Sequence, residues 1–266
     1  MKTARIRHAG EDRIAHVRED GLLKTADGSL LRPEEIEWLP PPHGVVIGVA
    51  LNHAAHVSQL AAAFRAAPYQ EPPRTPVLFI KPENTITGHA AMVQVPDGVP
   101  AVQPGPSLAV VIGRTARRVR FEDAFSLVKG YTIFNDFSLP ELNYYRPPVR
   151  TKCFDSFGPL GPYVVDMEDL PDPRDVTLRT HVNGELRQEW RTRELLRSIP
   201  ELIESISAFM TLHEDDVIAT GFAPERTNVV AGDIVVVEVS GIGSLASRIV
   251  TEGEYYAGAG AVEAVA

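Results

Sequence analysis

Apolar residues in this chain come mostly in short runs bounded by turn residues, the spacing of strands and not of helices. Runs at 45–49, 77–80, 108–112, 131–134, 176–182, 217–220, 234–239 and 245–250 predict strands, with turn signals such as Asn183-Gly184 and Ala231-Gly232-Asp233 between them. Residues 4–25 carry shorter apolar runs broken at Ala9-Gly10 and Asp20-Gly21, which predicts two or three small strands and a separate β appendage over 1–40. Pro40, Pro41 and Pro42 predict a stiff extended linker. Helical patterning is confined to 53–67, where an alanine-rich run stops at Pro68, and to 121–128 and 198–210. So many strands beside so few helices predict an α+β, mostly β fold, with mixed sheets rolled or closed into a barrel-like core and a few flanking helices. The tail at 253–266 has small residues without pattern and is expected to be mobile.

Composition narrows the function classes. With 266 residues, 44% hydrophobic and 23% charged, the chain has the profile of an ordinary folded protein. No apolar run approaches the roughly 18 residues that a membrane helix needs. Residues 1–7 open with charges instead of an apolar leader, so no membrane partner and a cytoplasmic location are expected. The single cysteine, Cys153, allows neither an internal disulfide nor a cysteine-rich zinc site. A net charge of −9 argues against nucleic acid as a partner, and the one basic cluster, Arg114, Arg117, Arg118 and Arg120, reads as a solvated turn.

Three segments carry candidate chemistry. In Leu51-Asn52-His53-Ala54-Ala55-His56 a strand gives way to a helix; Asn52 is the expected N-cap, and His56 in the first turn is either a general base or a capping or surface histidine. A second strand ends on Asn135-Asp136, where the carboxylate is either a divalent-cation ligand or a turn aspartate. Arg146, Arg150 and Lys152 then fall within seven positions. Such cations suit a substrate with two carboxylates, arginine pairing them bidentately and lysine stabilising an enolate, unless the segment is a solvated loop. Gly241-Ile242-Gly243 precedes a strand and so lacks the context of a dinucleotide loop, and no Gly-x-Ser-x-Gly elbow is present.

The ordered set Gly48-Val49-Ala50-Leu51-Asn52-His53-Ala54-Ala55-His56, Phe79-Ile80-Lys81-Pro82, Leu108-Ala109-Val110-Val111-Ile112-Gly113, Gly130-Tyr131-Thr132, Asn135-Asp136, Phe157-Gly158-Pro159-Leu160-Gly161-Pro162 and Val182-Asn183-Gly184-Glu185 resembles the fumarylacetoacetate hydrolase family over 44–252. Ala66-Ala67-Pro68-Tyr69-Gln70, Pro82-Glu83-Asn84-Thr85, Ser138-Leu139-Pro140-Glu141 and Tyr145-Arg146-Pro147 make the chain similar to the first half, or first subunit, of the family's isomerase/decarboxylases of 4-hydroxyphenylacetate (homoprotocatechuate) breakdown. The resemblance implies the family's rolled β fold, paired protomers, and His56, Asp136, Lys152, Asn183, Gln188 and Thr220 at matching site positions. Arg146 and Arg150 are the candidates for the distal carboxylate.

The family's metal pattern is broken. Its members hold a divalent cation with Glu-x-Glu and the Asp after Asn, but here the two glutamate positions are Gly105 and Ser107. Gln59 stands where a second acid is expected, Pro140-Glu141 where Arg-Asp is, and Thr220-Gly221-Phe222-Ala223-Pro224-Glu225 where Thr-Gly-Thr-Pro-x-Gly is. Asp136 alone is a poor ligand set for Mg²⁺, so no cofactor is firmly implied. The expected activity is proton transfer, moved by His56 with Lys152 holding the enolate oxygen, between 2-hydroxy-dienoate and 2-oxo-enoate forms of a seven-carbon diacid. Metal-dependent decarboxylation by this chain alone is not expected. The alternatives are a metal-free, non-catalytic companion to a Glu-x-Glu paralogue and a small oxo-acid binding protein. The expected assembly is a homodimer, or a heterodimer with such a paralogue.

Overall fold

The computed structural model describes residues 1–140, 144–170 and 172–258. Five strands come first: β1 (Lys2–His8), β2 (Glu11–Val17), β3 (Leu23–Thr25), β4 (Leu30–Leu31) and β5 (Glu37–Leu39). β6 (Val46–Ala50), β7 (Val77–Lys81), β8 (Ile86–Thr87), β9 (Ala91–Val95), β10 (Pro106–Ile112), β11 (Val128–Asn135) and β12 (Gly158–Asp166) follow. β13 (Thr177–Val182), β14 (Glu185–Arg191), β15 (Val217–Ala219), β16 (Ile234–Val239) and β17 (Gly243–Thr251) complete the strands. The helices are α1 (Ala54–Gln59), α2 (Ala61–Phe64), α3 (Val149–Lys152), α4 (Ile199–Ser207) and α5 (Glu252–Gly258), with a 3₁₀ run at Phe121–Leu127 among the shorter turns.

One sheet of twelve strands runs β4-β3-β2-β1-β12-β11-β10-β15-β6-β7, with β5 paired to β1 and β8 to β12 beside this path, and a second of five runs β14-β13-β16-β17-β9. β10 is buried at every position and β6 likewise, which explains their unbroken apolar runs, since a strand covered on both faces has no reason to alternate. The two sheets and α4 share a core containing Ile47, Val110, Ile133, Leu178, Ile203 and Leu245. Each such side chain contributes roughly 1.5–3 kcal/mol by leaving water. The large sheet rolls: β7 is its last strand, yet β8, only a few residues further on, pairs in parallel with β12 through Gly158↔Ile86 and Pro159↔Thr87. That return brings the end of β7 to the junction of β11 and β12. The result is the mostly β, rolled α+β architecture the apolar pattern predicts.

Several local expectations are corrected. The helix expected over 53–67 is two short pieces broken at Leu60, and its N-cap is His53, whose Nδ1 accepts from the Ala55 N–H at 3.2 Å. Asn52 instead ties chain segments together, as described below. Residues 121–127 form 3₁₀ turns and not an α-helix. β9, β12 and β14 were not legible: β12 opens on glycines and prolines that read as a turn, and β14 is mostly charged. The first strands have a small core of their own, Ala4, Ile6, Ala15, Leu23 and Leu31, but β1 pairs with β12 at Lys2↔Val165, so they extend the large sheet. Part of the expected mobile tail, 253–258, lies in α5, and 259–266 lie outside the described residues. No helix among the described residues is long and apolar enough to cross a membrane.

Candidate active site

Antiparallel pairing of β10 with β11 sets Pro106 opposite Asn135, so the residues just outside the pair, Gly105 and Asp136, are neighbours. The Asp136 N–H donates to the Gly105 carbonyl and the Gly105 N–H to Asn135 Oδ1, both at 2.9 Å. Asp136 is buried, and three cationic side chains meet it from three directions. Lys81, the last residue of β7, is brought in by the roll of the sheet and donates to Asp136 Oδ1 at 3.1 Å and to the carbonyls of Lys152 and Phe157 at 2.6 and 2.8 Å. Lys152, at the end of α3, donates to Asp136 Oδ2 at 2.5 Å. Arg226 places Nη2 at 3.4 Å from Asp136 Oδ2 and Nη1 at 2.6 Å from Ser138 Oγ. Burial pushes the Asp136 carboxyl up, but Lys152, Lys81 and Arg226 outweigh it and hold it at about 2. Burial also lowers Lys81, to about 8, against the pull of Asp136.

Aromatic rings pack the cations in place. The Arg226 guanidinium lies 3.6 Å from the Phe222 ring centroid, and Lys152 Nζ lies 5.0 Å from the same ring and 4.7 Å from Phe79. The loop that carries Phe222 and Arg226 is held by Gln188, whose Nε2 donates to the Pro224 carbonyl at 2.7 Å, and by Gln59, which donates to Glu225 at 3.0 Å. Glu225 has φ of 61°, a left-handed conformation that costs a non-glycine residue roughly 1–2 kcal/mol.

His56, the third residue of α1, faces this loop across a cavity of about 190 Å³ lined also by Gln103, Tyr144, Pro224, Glu225 and Arg226. Its Nε2 is 2.9 Å from Tyr144 Oη, and its Nδ1 is buried with no hydrogen-bond partner among the described residues. Burial, then the charges of Arg226, His53 and Lys152, lower His56 to about 4, so the ring is neutral near pH 7. A larger hollow of about 330 Å³ runs beside α4 between Arg174, Arg193 and Arg197, but neither His56 nor Asp136 lines it. His56 and Arg226 line the smaller one.

Of the residues singled out in the sequence, His56, Asp136 and Lys152 are brought together with this loop, and Gln188 supports it from outside. Lys152 does not line the cavity; Arg226 does. Thr220 is buried with its hydroxyl donating to the Leu108 carbonyl at 2.9 Å. Asn183 sits at the β13–β14 turn, where it donates to Asp233 at 2.8 Å and accepts from the Ile234 N–H at 2.9 Å. Arg146 and Arg150 are exposed. Arg150 lies two residues from Lys152 on one helical turn, hence on roughly the opposite side. Sequence reasoning missed Lys81, Gln103, Tyr144 and Arg226. Lys81 alone left a trace, as a charge closing the apolar run Val77-Leu78-Phe79-Ile80.

The donor set does not fit a divalent cation. Both Asp136 oxygens already accept from cationic side chains. Ser107 Oγ donates to the Leu108 carbonyl at 3.1 Å and accepts from the Gly221 N–H at 3.2 Å. A Cβ at Gly105 would stand 2.7 Å from the Asp136 carbonyl oxygen and 2.9 Å from Arg226 Cζ. No group of three His, Cys, Asp or Glu side chains capable of holding a metal occurs among the described residues.

A family profile described as fumarylacetoacetate (FAA) hydrolase C-terminal matches residues 45–250. The 4-hydroxyphenylacetate degradation bifunctional isomerase/decarboxylase of Salmonella dublin is 42% identical over 229 residues, covering 85% of this chain and 52% of that protein. The Escherichia coli protein of the same description is 44% identical over 216 residues, covering 80% and 48%. The chain therefore spans about half the length of these relatives. Among solved structures, the 5-carboxymethyl-2-hydroxymuconate delta-isomerase of Mycobacterium smegmatis superposes with a TM-score of 0.82 at 35% identity, covering 95% of this chain and 100% of that one.

Proposed function

The chain belongs to the fumarylacetoacetate hydrolase family, and from that premise we propose that it is a cytoplasmic proton-transfer isomerase of small 2-oxo diacids, working as one half of a paired assembly. The observation that carries this reading is a half-buried histidine facing an arginine across a small cavity. Interconverting a 2-hydroxy-dienoate and a 2-oxo-enoate moves one proton and shifts the double bonds, with no other atom gained or lost. It needs a base to take the proton, a route to return it at another carbon, and a cation for the oxygen that carries charge between the two events. We assign the first role to His56, with Tyr144 holding the ring at Nε2 and the Arg226 guanidinium as the cation; the support is that all three line the cavity. The activities of the Salmonella dublin, Escherichia coli and Mycobacterium smegmatis proteins support the seven-carbon diacids of 4-hydroxyphenylacetate breakdown as the substrate class.

The test is solvent-deuterium exchange into a 2-oxo-enoate diacid, followed by NMR with the purified chain. The expected outcome is exchange that His56→Ala lowers by roughly 10²–10⁴-fold, the usual contribution of a positioned acid–base group. That no group of three His, Cys, Asp or Glu side chains able to hold a metal occurs among the described residues favours a second reading as a metal-free companion that stabilises a metal-competent paralogue. No exchange by the chain alone, together with turnover that appears only when such a paralogue is added and is indifferent to His56→Ala, selects that reading.

A further inference from the structure

We propose that Arg226 is a built-in cation standing where the family places its divalent one, and that its guanidinium fork binds the carboxylate and 2-oxo oxygens of a 2-oxo acid without any metal. The inference rests on the oxo-acid reading above and adds the group that would grip the acid. Three observations place it. Arg226 Nη2 reaches the one metal-type carboxylate that is retained, Asp136, at 3.4 Å. Its guanidinium fills the space beside Gly105, where an added Cβ would meet Cζ at 2.9 Å and Nη2 at 3.0 Å. The same side chain lines the His56 cavity although only 7% of it is exposed.

At the position where the resemblance places a glutamate, Gly105 leaves room that a tethered cation, the Arg226 guanidinium, takes up. The guanidinium is oriented by Ser138 Oγ and the Asp136 carboxylate on one side and the Phe222 ring on its face. Guanidinium pairs carboxylates bidentately through fixed, planar donors, so a side chain held this way is arranged before the ligand arrives. Its charge is delocalised over three nitrogens, which suits it to steadying an enolate that forms and collapses within one proton shift.

The probe is oxalate, a planar dianion with the oxygen layout of the enolate of a short 2-oxo acid, titrated calorimetrically into the full chain in EDTA and again in excess Mg²⁺. The expected result is binding in EDTA that Mg²⁺ changes by less than about threefold. Arg226→Met is expected to weaken it by roughly tenfold or more, and Arg226→Lys, which keeps the charge and loses the fork, by an intermediate factor. Melting temperature and near-ultraviolet circular dichroism report whether each variant is folded. Binding that requires Mg²⁺, or an Arg226→Met chain that is folded and binds oxalate as the native chain does, overturns the proposal. The comparison in EDTA needs no variant and decides by itself if the variants do not fold. Metal-free oxalate binding without proton exchange would leave this inference standing and remove the isomerase reading; exchange without metal-free oxalate binding would do the reverse.

Discussion

Two buried polar regions lie within a few residues of each other and are built on opposite principles. The Asn52 side-chain amide is neutral and matched: its Nδ2 donates to the Thr220 and Arg197 carbonyls at 2.8 and 3.1 Å, and its Oδ1 accepts from the Arg197 N–H at 3.0 Å. Thr220 and Ser107 continue that network by bonding to main-chain atoms. Around Asp136 the groups are charged, two lysines and an arginine converge on one carboxylate, a nearby histidine nitrogen lacks a partner among the described residues, and a loop residue is held left-handed. A neutral network with every donor satisfied fixes chain segments and does nothing more. The charged one keeps strained and desolvated groups that packing alone would not select, and this is the pattern expected of a site that handles ligands.

The largest test of that contrast is removal of the charged centre. Asp136→Ala leaves Lys81 and Lys152 buried beside a hole, and a chemical-denaturation series should show a loss of about 3–5 kcal/mol, the usual cost of breaking a buried ion pair from one side. A loss below 1 kcal/mol would mean that water or other groups already compensate these cations. Acid sharpens the same point. Because the folded Asp136 titrates at about 2, below the ordinary value of 3.8, its contribution is present in full above about pH 4 and fades as pH falls through 2. Asp136→Asn should flatten that part of the stability–pH curve by on the order of 2 kcal/mol.

On the neutral side, Asn52→Ala removes three hydrogen bonds and leaves main-chain groups of Arg197 and Thr220 unsatisfied. A destabilisation of about 1–3 kcal/mol is expected, with metal-free oxalate affinity in the folded fraction changed less than about twofold. An affinity that collapsed with Asn52 would erase the distinction between the two regions. The smallest effect tests strain: Glu225→Gly relaxes the left-handed residue, and after loss of the Gln59 contact a net gain of up to about 1 kcal/mol should appear as a raised urea midpoint.

The same contrast governs what was legible in the sequence. β6, β10 and β11 announce themselves because strands buried on both faces are written as apolar runs, and His56 and Asp136 are found because each sits where such a run ends. β12 was hidden because its prolines and glycines contradict local strand preference, and tertiary pairing overrides that preference. The missing glutamates at 105 and 107 were visible. What was not visible is that Arg226, far along the chain, fills the space beside Gly105, because that is a contact between loops and leaves no periodicity to read. The role given to Lys152 was drawn from the local cluster of cations and from the family resemblance, whereas the cation that lines the cavity is an arginine from a different loop.

The last residue of β7 also has a bearing on how the chain reaches its native state. Lys81 can meet Asp136 and the carbonyls of Lys152 and Phe157 only after the rolled sheet has brought its outermost strand back to its middle. Contacts so distant along the chain are slow to form, because the intervening segments must first be ordered. Pulse-labelled amide exchange during refolding should therefore protect the Ile133 amide, in the centre of β11, before that of Lys152, whose N–H donates to the Pro148 carbonyl within the turn of α3. The lysine ammonium thus works as a clasp on a rolled sheet, and a chain caught half-rolled has no finished anion pocket to offer.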